Sequence, residues 1–114
     1  MCYLMLLIEF IEYLDERDRS PFALWRANLD PTARARIEFA LARLSQGNLS
    51  AIKGVGSGVL EMRLDFGPGY RIYLARDGET VILLLGGGTK RRQQNDIEAA
   101  KERWQDYKRR KRTN

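Results

Sequence analysis

Apolar and polar positions along residues 60–85 keep a strand rhythm twice and then give way to an unbroken apolar run. In residues 60–66, Leu60, Met62, Leu64 and Phe66 fall on one face, and Glu61, Arg63 and Asp65 on the other. That is the period of two of a half-buried strand. Gly67-Pro68-Gly69 predicts a turn, because proline presets one φ and glycine accepts a positive one. Residues 70–75 alternate again, with Tyr70, Ile72 and Leu74 opposite Arg71, Tyr73 and Ala75. Asp77-Gly78 is a hairpin dipeptide, and residues 80–85, apolar on both faces, predict a strand covered from both sides. The expected product is a three-stranded meander with Glu61, Arg63, Asp65, Arg71 and Tyr73 on one surface. Glu61 and Asp65 read as a solvated strand face with cross-strand ion pairs, and Tyr70 as core. Gly86-Gly87-Gly88 reads as a turn before Lys90-Arg91-Arg92, and it lacks the full signature of a nucleotide-binding loop.

Upstream, residues 3–10 are β-rich and predict a first strand, followed by a charged connector. Ser20-Pro21 and Asp30-Pro31 are two helix-start signals, an N-cap oxygen followed by a proline fitted to the first turn. Phe22, Trp25 and Leu29 form one apolar stripe; Ala33, Ile37, Ala40, Leu41 and Leu44 form a second, up to about Gln46. Gly47 fits the end of that helix. Residues 48–57 read as a polar loop carrying Lys53. A third helix begins near Gln93 or Asn95, with Ile97, Ala100, Trp104 and Tyr107 packing on the sheet on the side of Leu84. Trp25 and Trp104 read as core, and residues 108–114 as a flexible basic tail. The expected fold is a single α+β domain over residues 1–114: an N-terminal strand, a two-helix hairpin on a twisted, mainly antiparallel sheet containing the meander, and a C-terminal helix.

Charge sharpens this picture. The net charge of +5 arises wholly from residues 58–114, which hold 13 Lys/Arg and eight Asp/Glu, whereas residues 1–57 hold seven of each. The asymmetry fits a polyanion partner, nucleic acid or an acidic protein segment, and equally fits charge carried for solubility. The chain has no histidine, so histidine-based triads and the usual zinc sites are excluded; no metal and no cofactor is expected. A single cysteine, Cys2, rules out an internal disulfide and fits a reducing cytoplasm. The apolar start is too short for a membrane span and has no basic region of the secretory kind. Met1 and Met5 are both candidate starts.

Several segments in order carry a family resemblance: S-P-F-A-L-W from Ser20, L-D-P-T-A-R-A-R-I from Leu29, A-L-A-R-L from Ala40, V-G-S-G-V-L-E-M-R-L-D-F-G-P-G-Y-R-I-Y from Val55, L-L-L-G-G-G-T-K from Leu83 and Q-N-D-I-E-A-A-K from Gln94. On these the chain resembles the RelE/ParE superfamily of type II toxin–antitoxin toxins, and within it the phage-derived, HigB-like addiction-module killer proteins. The resemblance implies the RelE/ParE-like compact fold and a cytoplasmic toxin. Most such toxins are endoribonucleases that cut mRNA, usually inside the translating ribosome; a ParE-like minority inhibits DNA gyrase without cutting RNA. The implied partners are mRNA, the ribosome and a cognate antitoxin from the adjacent gene, a helix-turn-helix protein through which alone the toxin would reach operator DNA. A weakly active toxin serving mainly as antitoxin-binding co-repressor is a further alternative.

Cleavage through a 2′-hydroxyl needs a base for that hydroxyl, cations for the crowded phosphate and an acid for the leaving 5′-oxygen. Without histidine or metal these must be Lys, Arg, Tyr, Asp or Glu. By likeness to the family's middle strand, Arg71 is assigned to phosphate stabilisation, since a guanidinium forks onto two oxygens. Lys90 is a phosphate clamp or proton donor, Arg63 a second phosphate contact, and Tyr73 a base-stacking or hydrogen-bonding group. Lys53, Arg91, Arg92, Lys108, Arg109 and Arg110 are candidate RNA contacts. RelE-type nucleases carry a tyrosine early in the last helix. Here Asn95, Asp96 and Ile97 stand there, and Asp96 serves either as a base or as a charge suited to a helix N-terminus.

Overall fold

The computed structural model describes residues 8–113. The part of the expected first strand before Ile8, with Cys2 and both candidate starts, lies outside the described residues. Strand β1 (Glu9–Glu12) is followed by helices α1 (Pro21–Ala27) and α2 (Pro31–Ser45). Four strands come next, β2 (Ile52–Gly56), β3 (Val59–Arg63), β4 (Tyr70–Asp77) and β5 (Val81–Thr89), and a 3₁₀ turn (Lys90–Arg92) then leads into α3 (Gln93–Thr113). The architecture is α+β, as expected. One five-stranded sheet has the order β1-β5-β4-β3-β2, with β1 parallel to β5 and the other pairs antiparallel.

Both helix starts form as the sequence predicts. Ser20 Oγ accepts from the Ala23 amide at 3.0 Å and Asp30 Oδ1 from the Ala33 amide at 2.8 Å, each ahead of a proline in the first turn. Gly47, at φ +91, lies just beyond α2, where a residue with a Cβ would be strained.

The sheet divides two cores. On one face Phe22, Ile37, Leu41 and Leu44 of the helix hairpin pack on Met62, Leu64, Ile72, Leu74, Ile82 and Leu84. On the other, Ile97, Ala100 and Trp104 of α3 pack on Val59, Tyr73, Ala75, Leu83 and Leu85. β5 is thus covered from both sides, as its unbroken apolar run predicts. α3 takes the side of Leu83 and Leu85, not of Leu84. Tyr70 and Trp25 pack against the first core and Trp104 lies in the second, as expected.

Three local readings change. Residues 52–56, expected as loop, form a strand. Ser57 (φ 57) and Gly58 (φ 83) supply the two positive φ values that a tight two-residue hairpin to β3 requires. Gly86, Gly87 and Gly88, expected as a turn, continue β5. The expected flexible tail at residues 108–113 is helical, the last turns of α3.

Two acid clamps fasten those turns. Asp106 accepts from Tyr13 Oη at 2.7 Å and pairs with Arg110; Asp77 accepts from Tyr107 Oη at 2.5 Å and from Lys111 Nζ at 2.6 Å. Burial, then the carboxylate beside each, push both phenols up to about 12, so they remain donors. Among the described residues no helix is long and apolar enough to cross a membrane.

The clamps predict acid sensitivity. Hydrogen bonds from Arg110 and Tyr13 hold Asp106 below the ordinary 3.8, and those from Lys111 and Tyr107 do the same for Asp77. A depressed native pKa gives stability that is present above 3.8 and lost as pH falls through the native value. Near-ultraviolet circular dichroism from stacked Trp104 and Tyr107 should therefore weaken below about pH 4, before the far-ultraviolet signal does. Asp77→Asn should show part of that loss already at neutral pH.

Candidate functional site

The register of β2, β3, β4 and β5 lays two rows of side chains across the sheet beneath the start of α3. One row runs Lys53, Glu61, Tyr73, Gly86; the next holds Arg63, Arg71 and Gly88. Glu61 is at the centre and only 2% exposed. Its Oε2 accepts from the Tyr73 hydroxyl at 3.1 Å and from Gln93 Nε2, on the first turn of α3, at 2.9 Å. Its Oε1 is 3.8 Å from Arg71 Nε and 3.9 Å from Lys53 Nζ, distances of ion pairs rather than hydrogen bonds. The Tyr73 hydroxyl is pushed well above its ordinary pKa, by burial first and by the charge of Glu61 next, so it remains a donor.

Arg71 is 6% exposed. Its Nη1 donates to the Gly69 carbonyl at 2.6 Å, and its Nε has no hydrogen-bond partner. Gly69 is pinched: at φ +75, a Cβ there would lie 3.0 Å from Arg71 Nη1 and 3.2 Å from Lys90 Cβ. The close approach sets the Lys90 Cβ beside the Arg71 guanidinium over a residue that has to be glycine.

The glycine run in β5 serves the same end. Tyr73 pairs with Gly86 and Leu74 with Leu84, so Leu85 is the extra residue of a bulge. Past the bulge, Gly86 faces Arg103, whose Nη1 donates to the Leu85 carbonyl at 2.9 Å. Gly87 faces the Trp25 ring, and Gly88 the Asp96 carboxylate; a Cβ at either would overlap its neighbour. Asp96 Oδ2 is buried there without a partner. Burial raises the Asp96 pKa, against the lowering pull of Arg92 and Arg103.

The rim is cationic. The side chains of Lys53 and Arg63 are 66% and 60% exposed, Arg63 pairs with the still more open Asp65 at 3.1 Å, and Lys90, Arg91 and Arg92 are exposed. Arg63, Arg71 and Lys90 thus meet at one end of the sheet, but they do not share one role. Arg71 is turned inward on a carboxylate and a carbonyl, not open as a fork for phosphate. Tyr73, 1% exposed, offers no face to a base. Glu61 makes the expected cross-strand ion pairs but as the buried centre, not on a solvated face, whereas Asp65 is exposed as expected and pairs within its own segment, with Arg63. Lys108, Arg109 and Arg110 stand 15 or more residues along α3 from Gln93, about 22 Å at 1.5 Å per residue. There Lys108 lies over the Trp104 ring and the two arginines pair with Asp106. Among the described residues no three His, Cys, Asp or Glu side chains gather as a metal ion would require.

A protein of Haemophilus influenzae, described as uncharacterized, is 41% identical over 81 residues, which cover 70% of this chain and 82% of the relative. The chain belongs to that protein's family. No family model matches the chain.

Sequence reasoning missed Glu61 as the hub and Gln93 as its partner from α3. The signal was present: counting outward from Gly67 pairs Arg63 with Arg71 and Glu61 with Tyr73, which puts an acid opposite a phenol and beside an arginine.

Breaking the hub should cost the fold much of its stability. Arg71→Ala strands a buried carboxylate and should destabilise by about 3 kcal/mol, read from urea unfolding. The paired replacement Glu61→Leu with Arg71→Met should recover part of that loss, because it removes the charge that needed a partner.

Proposed function

We propose that the chain is a RelE/ParE-like toxin of the HigB-like type, a metal-independent endoribonuclease acting on mRNA. The family resemblance motivates the reading. The observation that supports it is that Arg63, Arg71 and Lys90 all stand at one end of the sheet, Arg63 opposite Arg71 and the Lys90 Cβ beside the Arg71 guanidinium at Gly69. In this reading Arg71 is a fixed inner charge and the exposed Lys90 and Arg63 touch the scissile phosphate. The 2′-oxygen attacks phosphorus and gives its proton to a solvent water as the bond to the 5′-oxygen breaks. That oxygen takes up a proton, with Lys90 the candidate donor, leaving a 2′,3′-cyclic phosphate and a 5′-hydroxyl. The cognate antitoxin, the ribosome and a cytoplasmic setting are parts of the same proposal.

One observation favours the ParE-like alternative: Arg71 and Tyr73 both face Glu61 and not solvent. A non-nucleolytic inhibitor would need them only as scaffold.

Expression of the chain alone should arrest bacterial growth and produce transcripts with new 5′-hydroxyl ends. Lys90→Ala and Arg63→Ala, both at exposed positions, should fold normally and each lower cleavage about 100-fold. Intact transcripts during arrest would sink the nuclease reading, and double-strand DNA breaks with intact transcripts would select the gyrase one.

A further inference from the structure

On α2, Arg36, Phe39 and Arg43 recur at i, i+3 and i+7 and so share one face. That face borders a groove of about 270 Å³ between α2 and the end of β3, whose lining also includes Arg63, Asp65 and Phe66. Phe39 is 66% exposed, far more than the packing of α2 requires. The Arg36 guanidinium lies 4.8 Å from the centre of the Phe66 ring, and that of Arg43 lies 6.0 Å from the centre of the Phe39 ring. The groove therefore offers alternating guanidinium and aromatic planes, with three arginines against one carboxylate. Arg63 belongs both to this groove and to the row that holds Arg71.

We propose that this groove is a second binding site, for single-stranded RNA. The inference rests on the nuclease reading only for which RNA is bound. Two features favour this occupant. Phosphates would match the charge, and an open phenylalanine beside an arginine is a platform for an unpaired base. An acidic peptide would satisfy the arginines and leave the Phe39 ring without a flat partner.

The test is fluorescence anisotropy of a short, labelled, mixed-sequence single-stranded RNA on the full chain. Phe39→Ala should weaken binding about ten-fold, and Phe39→Trp should preserve it. Arg36→Ala with Arg43→Ala should lower the slope of log affinity against log salt by about 1.4. Unchanged RNA affinity in these variants, with unchanged thermal melting, overturns the proposal. So does a loss confined to the binding of a poly-glutamate competitor, which would assign the groove to an acidic segment. Cleavage is scored apart, with Lys90→Ala as reference. Groove-dependent binding without cleavage keeps this site and removes the nuclease reading; cleavage with groove-independent binding does the reverse.

Discussion

The Glu61 carboxylate lies where β3, β4 and α3 meet, and four groups converge on it: the Tyr73 hydroxyl, the Gln93 amide, Arg71 and Lys53. At 3.8 Å the attraction between Arg71 and Glu61 is about 4 kcal/mol at an effective dielectric of 20. Taking each ion out of water costs several kcal/mol. The attraction alone falls short of that cost and the bonds from Tyr73, Gln93 and Lys53 offset the rest, so the net worth of the pair is small, while the penalty for removing one member is large. What the pair fixes is geometry. The pair ties β3 to β4, and Gln93, donating to the same carboxylate, ties the start of α3 to them, just past the 3₁₀ turn that carries Lys90, Arg91 and Arg92 at the end of β5.

The glycines complete this arrangement from below. An ordinary β5 would alternate through Leu85 and continue, and side chains at positions 86 and 88 would lift α3 from the sheet. The bulge at Leu85 and the bare run after it let Arg103 and Asp96 settle directly on the backbone. Gly87 does the same for Trp25 on the other face. Three successive residues without side chains thus bring both helical layers close at the point where the cations gather.

Much of the fold could be read from periodicity and capping. Ser20, Asp30 and their prolines marked two helices, Gly67-Pro68-Gly69 and Asp77-Gly78 marked two turns, and the stripe from Ile97 to Tyr107 marked the third helix. The misreadings share a cause: local signals describe a residue's own conformation and not what packs on it. Glycines in residues 54–58 and 86–88 resemble loop, yet they serve a hairpin and a close-packed strand. A glutamate in an alternating strand resembles a solvated face until a helix is laid over it. The five cations after Tyr107 resemble a loose tail until Asp77, Asp106 and Tyr13 are found beside them. The candidate site was therefore legible as a set of positions, since register followed from the turn. It was not legible as a set of roles, since those depended on which face α3 covers.

That coverage decides the kind of ligand the surface can hold. Had Arg71 been open and desolvated, a single buried guanidinium could have gripped one small anion with a charge-assisted fork. With Arg71 facing inward, every cation left for a ligand is at the rim, in high dielectric. There an exposed ion pair contributes about 0–1 kcal/mol. Lys53, Arg63, Lys90, Arg91 and Arg92 each add little, and a lone phosphate touching two of them would be held weakly. Binding grows useful only when one molecule meets many such cations at once and releases counterions at each. A rim of exposed positive charge around a buried hub thus suits a polyanion in preference to a mononucleotide.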